Sequence, residues 1–318
     1  MSMLKNANPM DKFMNANKLD FLLVGAQKCA TSWLFYCLSE HPELILPKKK
    51  LEPGYIGGKM FQEKGEDWFF DRFSMPANGQ LLGDVSVDYL YDINSARACT
   101  KYTHSNTKFI ASLRHPVERA ISSYFWYVRR KNLPLMSLNE GLLPLLDSSP
   151  GFPFPLEGIY EQIARRGCFG PQIEQFTKIY GVDRFYVATY DDITSSPKNV
   201  LRDIYSFLSV NPDFIPMSLT SKPKKNAHLP ILTRLERVAN KKILAKISNY
   251  MNQTASFIGA GRKPQLARKI ANRLQELYAP CIEETRQIMM QLPSSQRPSD
   301  QVIQSLWSTI PQINLTND

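Results

Sequence analysis

One stretch, Asp20 to Leu38 (DFLLVGAQKCATSWLFYCL), restricts what this chain can fold into more than any other. Phe21, Leu22, Leu23 and Val24 are an uninterrupted apolar run, as in a strand covered on both faces, and Gly25 ends it where the chain must turn. Thr31 and Ser32 are N-cap residue types, after which Trp33, Leu34, Cys37 and Leu38 share one helical face. A strand, a sharp turn and a helix in that order aim backbone N–H groups and the positive end of a helix dipole at one point, where a phosphate or sulfate is stabilised. Lys28 adds a positive charge inside that turn.

The turn departs from the nucleoside triphosphate loop G-x-x-x-x-G-K-[ST]. Ala30 stands where the second glycine would be, and the lysine comes three residues before Thr31 instead of directly before a hydroxyl. A magnesium-dependent kinase would also need an acidic metal ligand ending a later strand, yet the apolar run Phe109–Leu113 ends in Arg114. A second cationic strand end suits a donor carrying phosphates at both ends of its ribose, held without a metal.

These two segments resemble those of sulfotransferases that use 3′-phosphoadenosine 5′-phosphosulfate (PAPS). VGAQKCATSWL is similar to their 5′-phosphosulfate loop, and SLRHPVERAISSYFWYVRR, Ser112 to Arg130, to their 3′-phosphate segment, with Ser122 eight residues after Arg114. Similar bacterial proteins have counterparts of GDVSVDYL, RGCFGPQIEQF, ATYDDITSSP and YAPCIEETRQIM, so the resemblance covers about residues 20–290. It implies an α/β, P-loop-like nucleotide-binding fold with a central parallel sheet flanked by helices. It also implies donor contacts from Gln27, Lys28, Cys29, Ala30, Thr31, Ser32 and Trp33 at the 5′ end and from Arg114 and Ser122 at the 3′-phosphate. In similar enzymes a basic loop closes over the nucleotide, a role open to Lys222, Lys224 and Lys225, of which Lys225 is the chosen candidate.

The resemblance implies transfer of a sulfuryl group to a hydroxyl or amine, leaving adenosine 3′,5′-bisphosphate (PAP), with Lys28 neutralising the leaving phosphate. The family places a Lys-Glu-Pro segment near the acceptor; here Leu51 separates Lys50 from Glu52, so the lysine is out of register while Glu52-Pro53-Gly54-Tyr55 keeps the rest. Glu52 is the expected general base and Asp84, in Gly83-Asp84-Val85-Ser86, a second acid near the acceptor or a hydrogen-bonded strand-end aspartate. A histidine base is the competitor. Of the four histidines, His41, His104, His115 and His228, the first and third precede prolines, and His104 lies only ten residues before Arg114.

Composition bounds the remaining choices. The 318 residues carry 39 Lys and Arg against 29 Asp and Glu, a net charge of +10 that favours an anionic ligand or simply solubility. No linker divides the chain, so residues 19–292 read as one domain between a flexible lead-in, 1–18, and a loosely held polar tail, 293–318. Five cysteines, an odd number without a C-x-x-C pair, imply neither a disulfide framework nor a zinc site. The first 18 residues lack the apolar core of a signal peptide and no run is long enough to span a membrane, which points to a cytoplasmic, bacterial-type protein. No nucleic-acid reader motif is present. The acceptor reads as a carbohydrate or glycosylated molecule, with a small alcohol, phenol or lipid as the alternative. A nucleotide-dependent kinase and a non-catalytic polyanion binder are the other function classes.

Overall fold

Successive strand residues point to opposite faces, and in β1 (Leu19–Gly25) both directions are apolar. Leu19, Leu22 and Val24 enter one core, Phe21 and Leu23 the other. A computed structural model describes residues 18–51, 53–77, 79–134, 136–146, 158–220, 265–311 and 314–316. After β1 come α1 (Thr31–Ser39), β2 (Leu44–Ile45), α2 (Lys59–Phe70), β3 (Leu81–Val85), α3 (Asp88–Tyr91), α4 (Ser95–Cys99) and β4 (Thr103–Leu113). Then follow α5 (Pro116–Arg129), α6 (Leu138–Leu146), α7 (Gly158–Arg165), α8 (Phe169–Tyr180), β5 (Phe185–Thr189), α9 (Tyr190–Ser195) and α10 (Pro197–Leu208). The last described elements are β6 (Gln265–Ala267), α11 (Arg268–Gln291), α12 (Asp300–Ser305) and β7 (Asn314–Thr316).

Five strands form one parallel sheet in the order β2-β3-β1-β4-β5, with Phe21 opposite Gly83, Leu22 opposite Phe109, and Phe109 opposite Phe185. Phe109, Ala111 and Leu113 of β4 join the first core, together with residues from α2, α5, α7, α8 and α11; Ile110 joins the second, which α1 and α10 cover. The expected parallel sheet between helical layers is thus observed. Gly83 is required by close approach, since a Cβ there would come within 2.2 Å of the Phe21 ring. Strand order reverses around β1, so the loops leaving β1 and β4 open onto a shared crevice at the carboxyl edge of the sheet.

Two expectations need correction and several lie outside the described residues. Cys168 and Cys281 are joined in a disulfide that ties the start of α8 to the middle of α11, where the sequence implied none. A separation of 113 residues carries no spacing signal, and only packing α8 on α11 brings the pair together. The polar tail is not loose where it is described: Ile303, Leu306 and Trp307 are buried, and β7 pairs with β6. Its polar backbone is satisfied from the domain, with Gln275 donating to the Trp307 carbonyl at 2.8 Å and Arg286 Nε to the Leu306 carbonyl at 2.9 Å. Residues 1–17 of the lead-in, Glu52 and the basic stretch with Lys222, Lys224 and Lys225 fall outside the described residues.

Candidate functional site

Between β1 and α1 the backbone adopts the left-handed conformation at two non-glycine residues, Lys28 (φ 70°) and Ala30 (φ 67°). Each such residue costs about 1–2 kcal/mol, so something must hold them there. Cys29, fully buried between them, is the anchor. Its carbonyl accepts from Ser112 Oγ at 2.5 Å, its sulfur takes the Arg114 backbone N–H, and Ala26 N–H donates to the Ser112 carbonyl at 2.8 Å. Burial pushes the Cys29 thiol up to about 12, so it stays protonated and serves as packing, not as a nucleophile.

The N-cap of α1 is Ala30, where Thr31 or Ser32 was expected; both of these lie inside the first turn. An alanine cannot cap, and no side-chain oxygen satisfies the leading N–H groups. The helix therefore presents its dipole and its amides to whatever enters the crevice. Thr31 and Ser32 instead accept hydrogen bonds from Lys50 Nζ, at 3.3 and 3.2 Å. Trp33 is buried and donates Nε1–H to the Ser218 carbonyl at 3.1 Å, which holds residues 217–220 against α1. Gln27 accepts from Ser123 Oγ at 3.2 Å, one residue beyond the expected Ser122, which is half-buried on the same helix.

Charge is concentrated here. Lys28 has its ammonium held down at about 8, from an ordinary 10.5, by burial first and then by Arg129, Arg114 and Arg119. Arg119 is fully buried beside Tyr278, and among the described residues its Nε and one terminal nitrogen meet no hydrogen-bond acceptor by geometry, while its other terminal nitrogen donates to the Ile163 carbonyl. Arg129 is driven down by burial. Among the described residues no carboxylate pairs with Lys28, Arg119 or Arg129. Across the crevice Arg114 stacks on Tyr190, 4.2 Å from ring centroid, and gives Nε–H to Glu118 at 2.8 Å. Ser122, one turn past Glu118, continues the row that Arg114 starts. Buried cations without counter-ions are unstable by themselves, and a ligand with several negative charges fits them.

Comparison with known proteins agrees with the geometry. No family model matches. Mouse bifunctional heparan sulfate N-deacetylase/N-sulfotransferase 4 is 25% identical over 213 residues, 64% of this chain and 24% of that protein. The membrane-associated sulfotransferase kil1 of Dictyostelium discoideum is 33% identical over 132 residues, 39% of this chain and 27% of its own length. This chain is similar to sulfotransferases over part of its length. It spans about a quarter of the length of these curated relatives. Its fold is also that of a crystallised sulfotransferase from Alicyclobacillus acidocaldarius, with a TM-score of 0.60 at 20% identity over 88% of this chain and 99% of the other.

A second polar cluster is built around Asp84, at the end of β3. Its buried carboxylate accepts from Tyr89 Oη at 2.7 Å and pairs with Arg72 at 3.3 Å. Tyr89 Oη in turn accepts from the Ile56 amide at 3.1 Å, so Asp84 fixes the segment that follows Glu52 from below. The aromatics Phe69, Phe70 and Phe73 are core, not an open pocket.

The three histidines among the described residues lie away from this cluster, and His228 falls outside the described residues. His41 bonds the Asn211 carbonyl and takes the Glu43 amide, while His115 caps α5 through Val117 N–H and reaches the Thr309 carbonyl. His104 lies at the opposite end of β4, beside Asp20 at 3.9 Å. Sequence reasoning missed Arg119 and Arg129, which on an amphipathic helix read as solvated face, and Ser123. The doubled serine, Ser122-Ser123, was the signal that could have raised Ser123.

Proposed function

We propose that the chain transfers the sulfuryl group of PAPS to an acceptor hydroxyl or amine, most plausibly on a carbohydrate. The carrying observation is the set of cations, Lys28, Arg119 and Arg129, that no carboxylate among the described residues pairs with, beside the start of α1, where Ala30 supplies no side-chain cap, with Arg114 facing them from the next strand. PAPS would supply a sulfuryl group on a phosphate leaving group. The first turn of α1, with Thr31, Ser32 and the amides of residues 27–33, would hold that phosphate, and Lys28 would neutralise charge as it grows there. Arg114 and Ser122 would take the 3′-phosphate, with Tyr190 supporting the guanidinium from below, and Lys225 would close over the nucleotide.

Glu52 takes the acceptor proton in this reading, with the acceptor oxygen or nitrogen attacking sulfur in line as the sulfur to phosphate-oxygen bond breaks. Asp84 acts through Tyr89 and Arg72, seating residues 53–56 beneath the acceptor, and so serves as a positioning residue. No metal is required. The named relatives that act on heparan sulfate support a sugar-containing acceptor, and the excess of positive charge suits one that is acidic. A small alcohol, phenol or lipid is the second reading. We infer a bacterial, cytoplasmic setting from the resemblance to bacterial and cytosolic members of the family. Among the described residues no helix is long and apolar enough to cross a membrane.

The test is thermal stabilisation without magnesium. PAP at about a hundred times its Kd should stabilise the protein by about 2.7 kcal/mol. Stabilisation by ATP with magnesium alone would move the reading to a kinase, and none by either would favour a polyanion binder. Sulfate transfer to a panel of sugars, alcohols, phenols and amines would then identify the acceptor.

A further inference from the structure

Arg114, at the end of β4, is the one cation of the crevice already joined to a carboxylate. Its partner Glu118 stands four residues later in the first turn of α5, where the positive end of the helix favours an acidic residue. On a solvated helix an ion pair at this spacing adds little. Here the Arg114 and Glu118 side chains are only 21% and 18% exposed. The backbone between them is fixed as well, since His115 caps α5 by accepting the Val117 N–H at 3.2 Å.

A guanidinium is a planar fork, and it can meet two phosphate oxygens at once in two ways, through Nε and one terminal nitrogen or through both terminal nitrogens. Glu118 closes the first way by taking the Nε–H at 2.8 Å. Tyr190 covers one face of the plane, its ring centroid 4.2 Å from Cζ, and is itself set at the start of α9, which Thr189 caps by accepting the Asp192 N–H at 3.1 Å. What is left open is the edge that carries the two terminal nitrogens. Among the described residues no acceptor meets either of them. A carboxylate beside a phosphate site repels the ligand, so its presence there calls for a compensating gain. That gain is order: a long side chain loses freedom when it grips a ligand, and loses less when it is already held.

Resting on the sulfotransferase reading above, we propose that Glu118 is a positioning residue for the donor's 3′-phosphate: by occupying Nε it fixes the Arg114 guanidinium so that both terminal nitrogens face that phosphate. Glu118 itself touches no part of the nucleotide. Its reach matters here and its charge does not. Glutamine carries an oxygen to the same place without the charge, whereas aspartate keeps the charge and falls one methylene short.

Titration calorimetry with PAP and with adenosine 5′-monophosphate (AMP), which differ only in the 3′-phosphate, isolates this contact and needs no acceptor. Wild-type protein is compared with Glu118→Ala, Glu118→Asp and Glu118→Gln, with thermal melts to establish folding. The alanine and aspartate variants should each lower the preference for PAP over AMP about fivefold or more while AMP affinity holds, the cost of ordering one long side chain. The aspartate variant serves if the alanine variant does not fold. Glu118→Gln should keep the preference within about twofold of wild type. In an Arg114→Ala background, Glu118→Ala should change the preference no further, since the two residues act as one unit. Equal weakening of PAP and AMP would make Glu118 a support of α5 and overturn the proposal. An unchanged preference in Glu118→Ala would overturn it too, and a raised one would make Glu118 a competing charge. Wild-type protein with no preference for PAP over AMP would overturn the sulfotransferase reading itself, a failure visible before any variant is made.

Discussion

Replacing Lys28 by methionine should make the protein more stable, not less, at neutral pH. The ammonium is held at about 8 in the folded protein by burial and by Arg129, Arg114 and Arg119, against an ordinary 10.5 in an unfolded chain. Each pH unit of such a difference is about 1.36 kcal/mol, so the folded state carries a penalty of about 3 kcal/mol wherever Lys28 is charged in both states, below about pH 8. Between pH 8 and 10.5 the folded protein gives up the proton while the unfolded chain keeps it. The unfolded state then binds more protons, wild-type stability rises relative to the variant, and the gap closes. Methionine has a similar length and no charge, and the left-handed backbone at residue 28 strains lysine and methionine alike. Urea unfolding of wild type and Lys28→Met at pH 7 and pH 10 measures the gap at each. A Lys28→Met protein no more stable than wild type at pH 7, or a gap that fails to shrink by pH 10, would refute the idea that the loop stores unfavourable charge for a ligand.

Arg114→Ala should weaken PAP about tenfold or more while changing the affinity of adenosine 5′-phosphosulfate, which lacks the 3′-phosphate, far less; equal losses in calorimetry would make Arg114 structural. Glu52→Gln should lower kcat by about 10²–10⁴ with PAPS affinity intact, whereas His104→Ala, at the far edge of the sheet beside Asp20, should leave kcat near wild type; the reverse pattern in steady-state assays would move the base to the histidine. Denatured, unreduced protein should titrate three thiols, since Cys29, Cys37 and Cys99 are free and Cys168 is bonded to Cys281. Reduction should then remove up to about 4.7 kcal/mol of stability, the chain-entropy value for a loop of about 100 residues; five thiols without reductant would show that the bond does not form.

The parts of the fold written as local patterns could be read directly. Buried strands at 19–25, 103–113 and 185–189 show as apolar runs because a parallel sheet is covered on both faces. Pro116 and Pro197 mark helix starts because proline needs no N–H partner in a first turn. Other parts depend on what meets across space. A two-residue strand such as β2 has no periodicity to detect, and Lys50 looks like one more surface lysine until α1 is placed opposite it. Arg119 shares its residue type with many solvated arginines and differs only in being enclosed by α7, Gly167 and Tyr278. The N-cap was misread for a related reason: a helix that leaves its amides open for a ligand breaks the capping rule by which its start is recognised.

The docking of residues 303–316 also sets an order of events during synthesis. His115, beside the arginine at the end of β4, reaches the Thr309 carbonyl at 3.0 Å, a partner 194 residues later in the chain, and Trp307 stands 6.2 Å from its ring. The β1-α1 loop can be made and can pair with β4 early, but the backing of the Arg114 turn is still inside the ribosome at that stage. At about 5–20 residues per second, that brace arrives roughly 10–40 s after His115 is made. A nascent chain halted near residue 300 should therefore already hold its parallel strands while the turn at Arg114 stays slack, and that turn would firm up only once Trp307 and Thr309 had emerged.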